Sequence, residues 1–409
     1  MSARVVLYDD KKSCYGCSAC MNICPTNSIS MKADGEGFIY PEIDSDSCIE
    51  CGLCRRVCER HCSTIPEGLQ SAWAAAAKQE SILNKSASGG AFTVFAECIL
   101  KKQGVVYGCA LCRDRGILNP QHIRVDKLAE LERLQGSKYV QSDIAFSFRR
   151  AKEDLEAGKY VLFSGTPCQI GGLKAYLGKE YNSLYTVDIV CHGVPNKAFF
   201  QEYLKILEKR LDGKILDYSF RDKTFGWGLR GLITWETKNG KIRHRLVPVN
   251  TSSYYKMFLD AEIYRDSCYG CRYAQGKRPG DITVGDYWGI EIEHPEVLEV
   301  NPESLSCSRG ISCVLANTAK GNDLVQECAA SLTLLKSLPE KVIRHNAQLQ
   351  NPSPVGEHRG TILQLYREGG YKAVHKWCNK RMGLRRIKSE LICHMPLSVQ
   401  AVLRKVMER

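Results

Sequence analysis

No stretch of this 409-residue chain stays apolar for long. None approaches the 18 or so residues that a membrane span needs, which excludes a bilayer-crossing helix and points to a soluble protein. An export signal is missing as well. Met1 to Asp10 sets Arg4, Asp9 and Asp10 around a very short apolar patch, without the basic start and longer apolar core of a signal peptide, so a cytoplasmic protein is expected. Acid is scarce at the other end. After residue 371, Lys372, Lys376, Lys380, Arg381, Arg385, Arg386, Lys388, Arg404, Lys405 and Arg409 face only Glu390 and Glu408. Such a tail suits an acidic protein, a membrane surface or a nucleic acid, but solvated basic helix faces are commoner, and no nucleic-acid partner is expected. Hydrophobic residues at 44% and charged residues at 25% are ordinary for a globular protein. The length allows a small module plus one large or two medium domains.

Cysteine, by contrast, is abundant, with 21 residues. Cys14, Cys17, Cys20 and Cys24, followed by Pro25, spell C-x2-C-x2-C-x3-C-P, and Cys48, Cys51, Cys54 and Cys58 repeat the spacing. Three thiolates two residues apart wrap one face of a cubane iron–sulfur cluster, while the fourth cysteine of each run ligates the other cluster. Two crossed sets follow: Cys14, Cys17, Cys20 and Cys58, and Cys48, Cys51, Cys54 and Cys24. Pro25 fits the first position of a short helix, and Glu59 stands at that place in the second run. Zinc is the weaker reading, because structural zinc sites pair one C-x2-C with a distant second pair and give a third packed cysteine no task. Disulfides are weaker still, since a chain without an export signal belongs in a reducing compartment. Residues 1–66 resemble a bacterial-type two-cluster ferredoxin, a module that moves electrons singly. The formal net charge of +12 shrinks accordingly, each [4Fe–4S] cluster with its thiolates carrying roughly −2.

Beyond residue 66 strand and helix signals alternate. Ser71 to Ala77 reads as a helix by its alanines or equally as a buried strand. Ser88, Gly89 and Gly90 precede a helical pattern over Ala91 to Lys102, and Val105 to Leu111 is an apolar strand. A polar helix over Asp143 to Ala157 leads to the strand Tyr160 to Phe163, helix Ile170 to Leu177, strand Leu184 to Val190 and helix Lys197 to Leu211. This order predicts an α/β sheet with chemistry on the loops at its strand ends. Strands over Ile215 to Val247, with a hairpin at Asn239-Gly240, read as a β insertion at about 214–248. Helical signals return at Ser252 to Tyr264 and Lys320 to Leu335. The fold class is therefore mixed, α+β to α/β: a ferredoxin-like domain (1–66), a larger mixed α/β domain (67–345) and a basic helical segment (346–409).

Four further cysteines stand in loop-like settings: Cys168 in SGTPCQ, Cys191 in VCHG, and Cys268 and Cys271 in SCYGC. Cys109 and Cys112 compete with them but lie along an apolar strand. Ser88-Gly89-Gly90, Gly136-Ser137-Lys138-Tyr139-Val140-Gln141-Ser142, Gly165-Thr166-Pro167-Cys168-Gln169, Cys191-His192-Gly193 and the run from Gly280 to Gly289 (GDITVGDYWG) together resemble the coenzyme F420 hydrogenase/dehydrogenase beta-subunit family, over about residues 70 to 345. Members of that family bind FAD and a [4Fe–4S] cluster, and some carry a fused two-cluster ferredoxin. The resemblance implies that Cys168, Cys191, Cys268 and Cys271 hold a third cluster, leaving Cys109, Cys112, Cys307 and Cys313 structural.

The candidate flavin residues agree with these loops. Ser88, Gly89 and Gly90 before a helix offer backbone N–H groups to a pyrophosphate. Lys138 adds a cation, Tyr139 a ring to stack on the isoalloxazine, and Gln141 or Ser142 hydrogen bonds to its heteroatoms, with Gly136, Ser137, Gly165 and Thr166 completing the loops. Lys138 and His192 are the candidate catalytic residues, His192 as a proton relay or as a histidine that bonds the backbone beside a cluster. Gly226, Gly228 and Gly231 satisfy G-x-G-x-x-G, but a strand follows where the dinucleotide fingerprint needs a helix, so the match is set aside. The expected function is an iron–sulfur flavoprotein oxidoreductase exchanging two electrons or a hydride at FAD with a small redox partner, coenzyme F420 or ferredoxin with an organic acceptor. Its rival is a carrier protein within a larger redox complex that performs no substrate chemistry.

Overall fold

The computed structural model describes residues 6–8, 10–58, 68, 71–114, 116–296, 305–393, 395 and 399. The boundary expected at 66/67 and the last basic residues, Arg404, Lys405 and Arg409, lie outside that set. The N-terminal part is a two-stranded hairpin, β1 (Ile29–Ala33) against β2 (Ile39–Ile43), with two short helices, α1 (Ala19–Ile23) and α2 (Leu53–Arg56), that carry the cysteine runs.

The larger part is built on eight strands: β3 (Ser71–Ala77), β4 (Val105–Asp114), β5 (Ile117–Val125), β6 (Val161–Gly165), β7 (Leu184–Ile189), β11 (Ile282–Asp286), β12 (Ser312–Ala316) and β13 (Leu332–Ser337). They lie in the order β13-β3-β12-β11-β7-β6-β4-β5. The central four, β4, β6, β7 and β11, are parallel neighbours, and the flanking pairings are antiparallel. Between Leu184 and Ile282 a second sheet intervenes, β8 (Gly213–Ser219), β9 (Arg230–Thr237) and β10 (Ile242–Pro248), in the antiparallel order β10-β9-β8.

Alternation along the central strands gives the sheet two apolar faces. Val106 and Leu162 point to one side, where the short α3 (Glu80–Lys85) contributes Ile82 and α4 (Ala91–Lys101) lays down Phe95, Ala96 and Ile99. Val105, Tyr107, Val161 and Phe163 point to the other, under α5 (Ser147–Glu156) and α6 (Pro167–Leu177) with Phe148, Ile170 and Leu173. A third, aromatic core joins α7 (Lys197–Leu211), the second sheet, α8 (Ser253–Leu259) and the helical run Arg359–Cys393, which is interrupted at Gly369, Gly370 and Gly383.

Two expected helices are corrected. The pattern over Lys320 to Leu335 is a helix only through Ala319–Glu327, and Leu332 opens β13, an edge strand paired with β3. The pattern over Ser252 to Tyr264 is helical only through α8, after which Ala261 turns the chain in a left-handed conformation (φ 53). Ser71 to Ala77 takes the strand alternative. Ala72, Ala74 and Ala75 are fully buried between β12 and β13, where helix propensity yields to packing between sheet neighbours.

The ferredoxin-like part docks on α5 and α6. Ala19 enters the core of Phe148, Ile170 and Leu173, with Cys17 and Ile23 packed against it. Arg149 of α5 wraps the end of α1, donating to the carbonyls of Met21 (3.2 Å), Asn22 (2.6 Å) and Cys24 (2.7 Å), which the short helix leaves open.

Candidate metal centres and the adjoining cavity

The two N-terminal runs share a backbone signature. In each, the residues before and after the second cysteine are left-handed: Gly16 (φ 65) and Ser18 (φ 64) around Cys17, Glu50 (φ 51) and Gly52 (φ 70) around Cys51. Two such residues curl C-x2-C-x2-C into a cup and start a short helix that carries the third cysteine. Crossing then follows. Cys14, Cys17, Cys20 and Cys58 line one small cavity of about 40 Å³, which also touches Cys54. Burial raises the Cys20 thiol well above its ordinary pKa, and the neighbouring sulfurs of Cys17, Cys14 and Cys58 add to the effect. On the other side, burial raises Cys54, with Cys51 and Cys24 as its sulfur neighbours. Burial works upward on Cys24 too, but hydrogen bonding to Thr26 and Ser28 outweighs it and leaves the thiol below its usual range. Cys51 is exposed, and Cys48 stands on the same loop.

A third group forms in the larger domain. Cys168 lies in the first turn of α6, which Thr166 and Gln169 close with reciprocal side-chain bonds behind Pro167. Cys191 follows β7, and Cys268 and Cys271 come from a tight turn over Asp266–Gly270 and the residue after it. Burial raises Cys168 well above the normal thiol value, with Cys271, Cys191 and Cys268 contributing as like charges. Cys191 and Cys268 are each pushed up to about 12, first by burial and then by the other sulfurs. Cys109 reaches about 11 by burial, but its sulfur neighbour is Cys112. Among the described residues no three His, Cys, Asp or Glu side chains converge on one metal ion. A cubane binds each thiolate through a different iron, so its ligands surround a volume and not a point, and each of these cysteine groups suits it.

A buried ion pair fixes this loop. Arg278 donates to Asp188 at 2.9 Å, both almost fully buried, and also to the carbonyls of Ile189 (2.8 Å) and Tyr273. Asp188 accepts as well from Thr283 and from the Gly280 N–H, so the start of the GDITVGD run is tied to the strand that delivers Cys191.

Beside the third group opens a cavity of about 310 Å³. Its walls include Ser88, Gly90, Gly136, Ser137, Lys138, Tyr139, Gln141, Ser142, Gly165, Thr166 and His192, together with Cys168 and Cys191. The start of α4 contributes Ala91, Phe92 and Thr93 and has no side-chain cap among the described residues, which leaves a positive helix end facing the space. Ser88 donates to the carbonyl of Ile311 at 2.8 Å. Gly89, however, is packed against the sheet: its Cβ would stand 2.1 Å from the Ala75 carbonyl oxygen and 2.6 Å from the Ser312 nitrogen.

Several cavity side chains already have protein partners. Tyr139 stacks on Phe258 (4.4 Å, 14°) and receives a hydrogen bond from Arg221 (3.1 Å), so one ring face is taken. Gln141 points toward the ferredoxin-like part, donating to the Tyr15 carbonyl at 3.2 Å. Lys138 gives its protons to the carbonyls of Gln135 (2.7 Å) and Arg133 (3.3 Å), and burial lowers its pKa. Ser142 donates to His122 Nδ1 (2.9 Å), whose Nε2–H donates to the Ser164 carbonyl (2.9 Å). The carbonyl accepts only, so His122 is the neutral Nε2–H tautomer, and burial lowers its pKa to about 4. His192 faces the cavity, where desolvation by the surrounding protein lowers its pKa, with Asp286 working in the opposite direction and Arg221 adding to the lowering.

Sequence reasoning missed Arg221, His122 and Trp288 on these walls. Arg221 comes from the segment between β8 and β9 that contains the discarded glycine pattern. It pairs with Asp286 at 2.8 Å, donates to the Gly228 carbonyl at 2.9 Å, and its buried Nη2 has no hydrogen-bond partner among the described residues. The Asp of GDYWG was the available signal, since a buried carboxylate at a strand end needs a cation.

Residues 158–341 match the family of the coenzyme F420 hydrogenase/dehydrogenase beta chain, in its C-terminal region, and residues 13–62 match a 4Fe–4S dicluster domain. An uncharacterized protein of Methanocaldococcus jannaschii is 24% identical over 322 residues, 71% of this chain and 84% of that one. One component of the H2:CoB-CoM heterodisulfide, ferredoxin reductase of Methanothermobacter marburgensis is 36% identical over 66 residues, 13% of this chain and 10% of that one. Among solved structures, a chain of the F420-reducing [NiFe] hydrogenase complex of Methanosarcina barkeri aligns with a TM-score of 0.43 and 16% identity, covering 74% of this chain and 94% of its own.

Proposed function

From a chain whose residues 158–341 match the coenzyme F420 hydrogenase/dehydrogenase beta-subunit family and whose N-terminus matches a 4Fe–4S dicluster domain, we propose a flavin-linked electron-transfer function. The protein exchanges two electrons or a hydride with a small redox partner, coenzyme F420 being the leading candidate, at FAD held in the 310 Å³ cavity. Single electrons then pass to or from the N-terminal domain. A flavin supplies the conversion between paired and single electrons that iron–sulfur clusters alone lack.

The observation that carries this reading is a shared wall. Cys168 and Cys191, two of the four mutually close thiols, line the same cavity as Gly90, Lys138 and Thr166. The uncapped start of α4 and the unpartnered Nη2 of Arg221 suit an anionic ligand there. His192 is the side chain in position to hold or move a proton at the cavity surface. Its lowered pKa favours the neutral imidazole, which accepts before it donates.

The test is an absorption spectrum, iron analysis and cofactor extraction after anaerobic purification. About twelve irons, from three [4Fe–4S] clusters, and one FAD per chain are expected. Stoichiometric zinc with little iron, or iron without flavin, would overturn the proposal.

A further inference from the structure

The two N-terminal cysteine sets have the same spacing, yet the larger domain treats them differently. Arg265 is fully buried and wraps one residue of the first set. Its Nε donates to the Cys14 carbonyl at 2.8 Å, its Nη2 points at Cys14 Sγ at 3.7 Å, and its Nη1 approaches Gln141 Oε1 at 3.4 Å. The guanidinium lies 4.1 Å over the ring of Tyr40. In the second set, Arg149 reaches the Cys24 carbonyl at 2.7 Å but is only half-buried, and Cys24 Sγ itself meets a neutral hydroxyl, that of Thr26, at 3.6 Å.

A buried guanidinium keeps its charge, and its desolvation is costly unless a negative charge stands beside it. Among the described residues the hydrogen-bond acceptors of the Arg265 guanidinium are two neutral oxygens and one sulfur. The adjacent carboxylate, Asp266, is taken up by Arg359 at 2.6 Å. Among these acceptors the Cys14 sulfur is the one that would carry negative charge, as a ligand of a [4Fe–4S] cluster.

We propose that Arg265 sets a potential: it raises the reduction potential of a [4Fe–4S] cluster held by Cys14, Cys17, Cys20 and Cys58 above that of the cluster held by Cys48, Cys51, Cys54 and Cys24. This rests on reading those cysteines as cluster ligands. An added electron increases the negative charge next to a fixed, water-excluded cation, so the reduced state gains more than the oxidised one. The same arginine also belongs to the frame of the third cysteine group. Its N–H donates to the Val194 carbonyl, three residues after Cys191, and its carbonyl accepts from the Cys268 N–H, both at 2.9 Å. Cys17 is held there too: a Cβ on Gly172 of α6 would stand 2.8 Å from its sulfur. The first set is thus the one built against the third group, and Arg265 distinguishes its environment from that of the second.

Anaerobic redox titration followed by electron paramagnetic resonance, on the full chain and on Arg265→Gln and Arg265→Lys, tests this. In Arg265→Gln one N-terminal couple should fall tenfold in its reduced-to-oxidised ratio at fixed potential, about 59 mV for one electron, while the other stays. Cys48→Ser, which removes the second set, identifies the couple that moves. Arg265→Lys keeps the charge and should stay near the parent value. Two unchanged couples, equal shifts in both, or Arg265→Lys behaving like Arg265→Gln would each overturn the proposal. Should Arg265→Gln lose iron, Arg265→Lys decides: the first cluster retained at the parent potential supports it, and iron lost from both variants assigns Arg265 a purely structural role. A parent protein without N-terminal iron would instead refute the assignment of the cysteines.

Discussion

A valine at position 89 would drive its Cβ into the carbonyl oxygen of Ala75 and the amide nitrogen of Ser312. Both atoms belong to neighbouring strands of the main sheet, which cannot part locally. Gly89→Val is therefore expected to abolish soluble, folded protein and not merely to weaken a ligand. Gly90→Ala is the sharper probe of the cavity. Gly90 is left-handed (φ 85) at the open start of α4, and a Cβ there would stand 3.0 Å from Ile82 and 3.1 Å from Ser86, so alanine costs roughly 1–2 kcal/mol of backbone strain and shifts those side chains and the helix start, without striking backbone as at Gly89. We expect weakened FAD binding in the titrated apoprotein, and parent-like affinity would remove the α4 terminus from the site. At this scale the glycine pair was legible in the sequence, but which of the two faces the cavity was not, because that depends on the strands lying behind them. His122 makes the same point. A lone histidine carries no sequence signal, yet here it links Ser142 to the Ser164 carbonyl and stays neutral down to about pH 4. Its ordinary pKa is about 6.5, so below that value the unfolded chain binds a proton that the native chain refuses. Stability should fall as pH drops from about 6.5 to about 4, by at most about 3 kcal/mol, and the loss should be absent above that window. Thermal unfolding of parent and His122→Gln at pH 5 and pH 7.5 checks this. The variant should be less stable at pH 7.5 but should lose less between the two pH values.

Among the elements, those that follow from local pattern were readable, and those decided by a neighbour were not. The strands β4, β6 and β7 and the helices α4, α6 and α7 have apolar residues at the right period. Leu332–Ser337 resembles the end of a helix until β3 supplies a strand partner, and the alanines of Ser71–Ala77 favour a helix until burial on both sides selects a strand. The segment between β8 and β9 is the instructive case for function. Its G-x-G-x-x-G spacing is no dinucleotide fingerprint, since Gly231 lies within β9, but the same segment brings Arg221 and Leu229 to the cavity wall. Trp227 anchors it, donating to Asp286 (3.2 Å) and packing on Trp288 (4.7 Å between rings). Arg221→Gln leaves Asp286 with the Trp227 bond but removes the cation and its unpartnered Nη2. If that nitrogen serves an anionic ligand, FAD affinity should drop by roughly tenfold or more, the loss of one charge-assisted hydrogen bond of about 1.5–3 kcal/mol. Iron content should not change. Unaltered FAD affinity would show that the segment only closes the wall.

At the level of the whole molecule, the two cysteine runs of the N-terminal part are legible in the sequence and the crossed sets are a proposal from their spacing, whereas the seat of this part on the larger domain could not be read. That seat is made by Arg149, Gln141 and Arg265, which lie far along the chain from the cysteines they approach. The third cysteine group sits on the far side of this seat, and it supplies the last prediction. Cys168 shares its surroundings with Cys191, Cys268 and Cys271, so Cys168→Ala should remove about four of the twelve irons expected, the content of one cluster. The N-terminal clusters should persist, because their ligands come from a separate stretch of chain. Cys109→Ala is the matched control. Its thiol is as deeply buried and also lines the cavity, but it has the single sulfur of Cys112 beside it where Cys168 has three. It should retain all its iron. Rapid-mixing spectra with a two-electron donor should then separate the variants: slowed reduction of the N-terminal clusters in Cys168→Ala and parent-like reduction in Cys109→Ala. Iron lost from the Cys109 variant and kept in the Cys168 variant would mean that the strand pair Cys109 and Cys112 holds the third cluster, and that the loop cysteines are the structural ones.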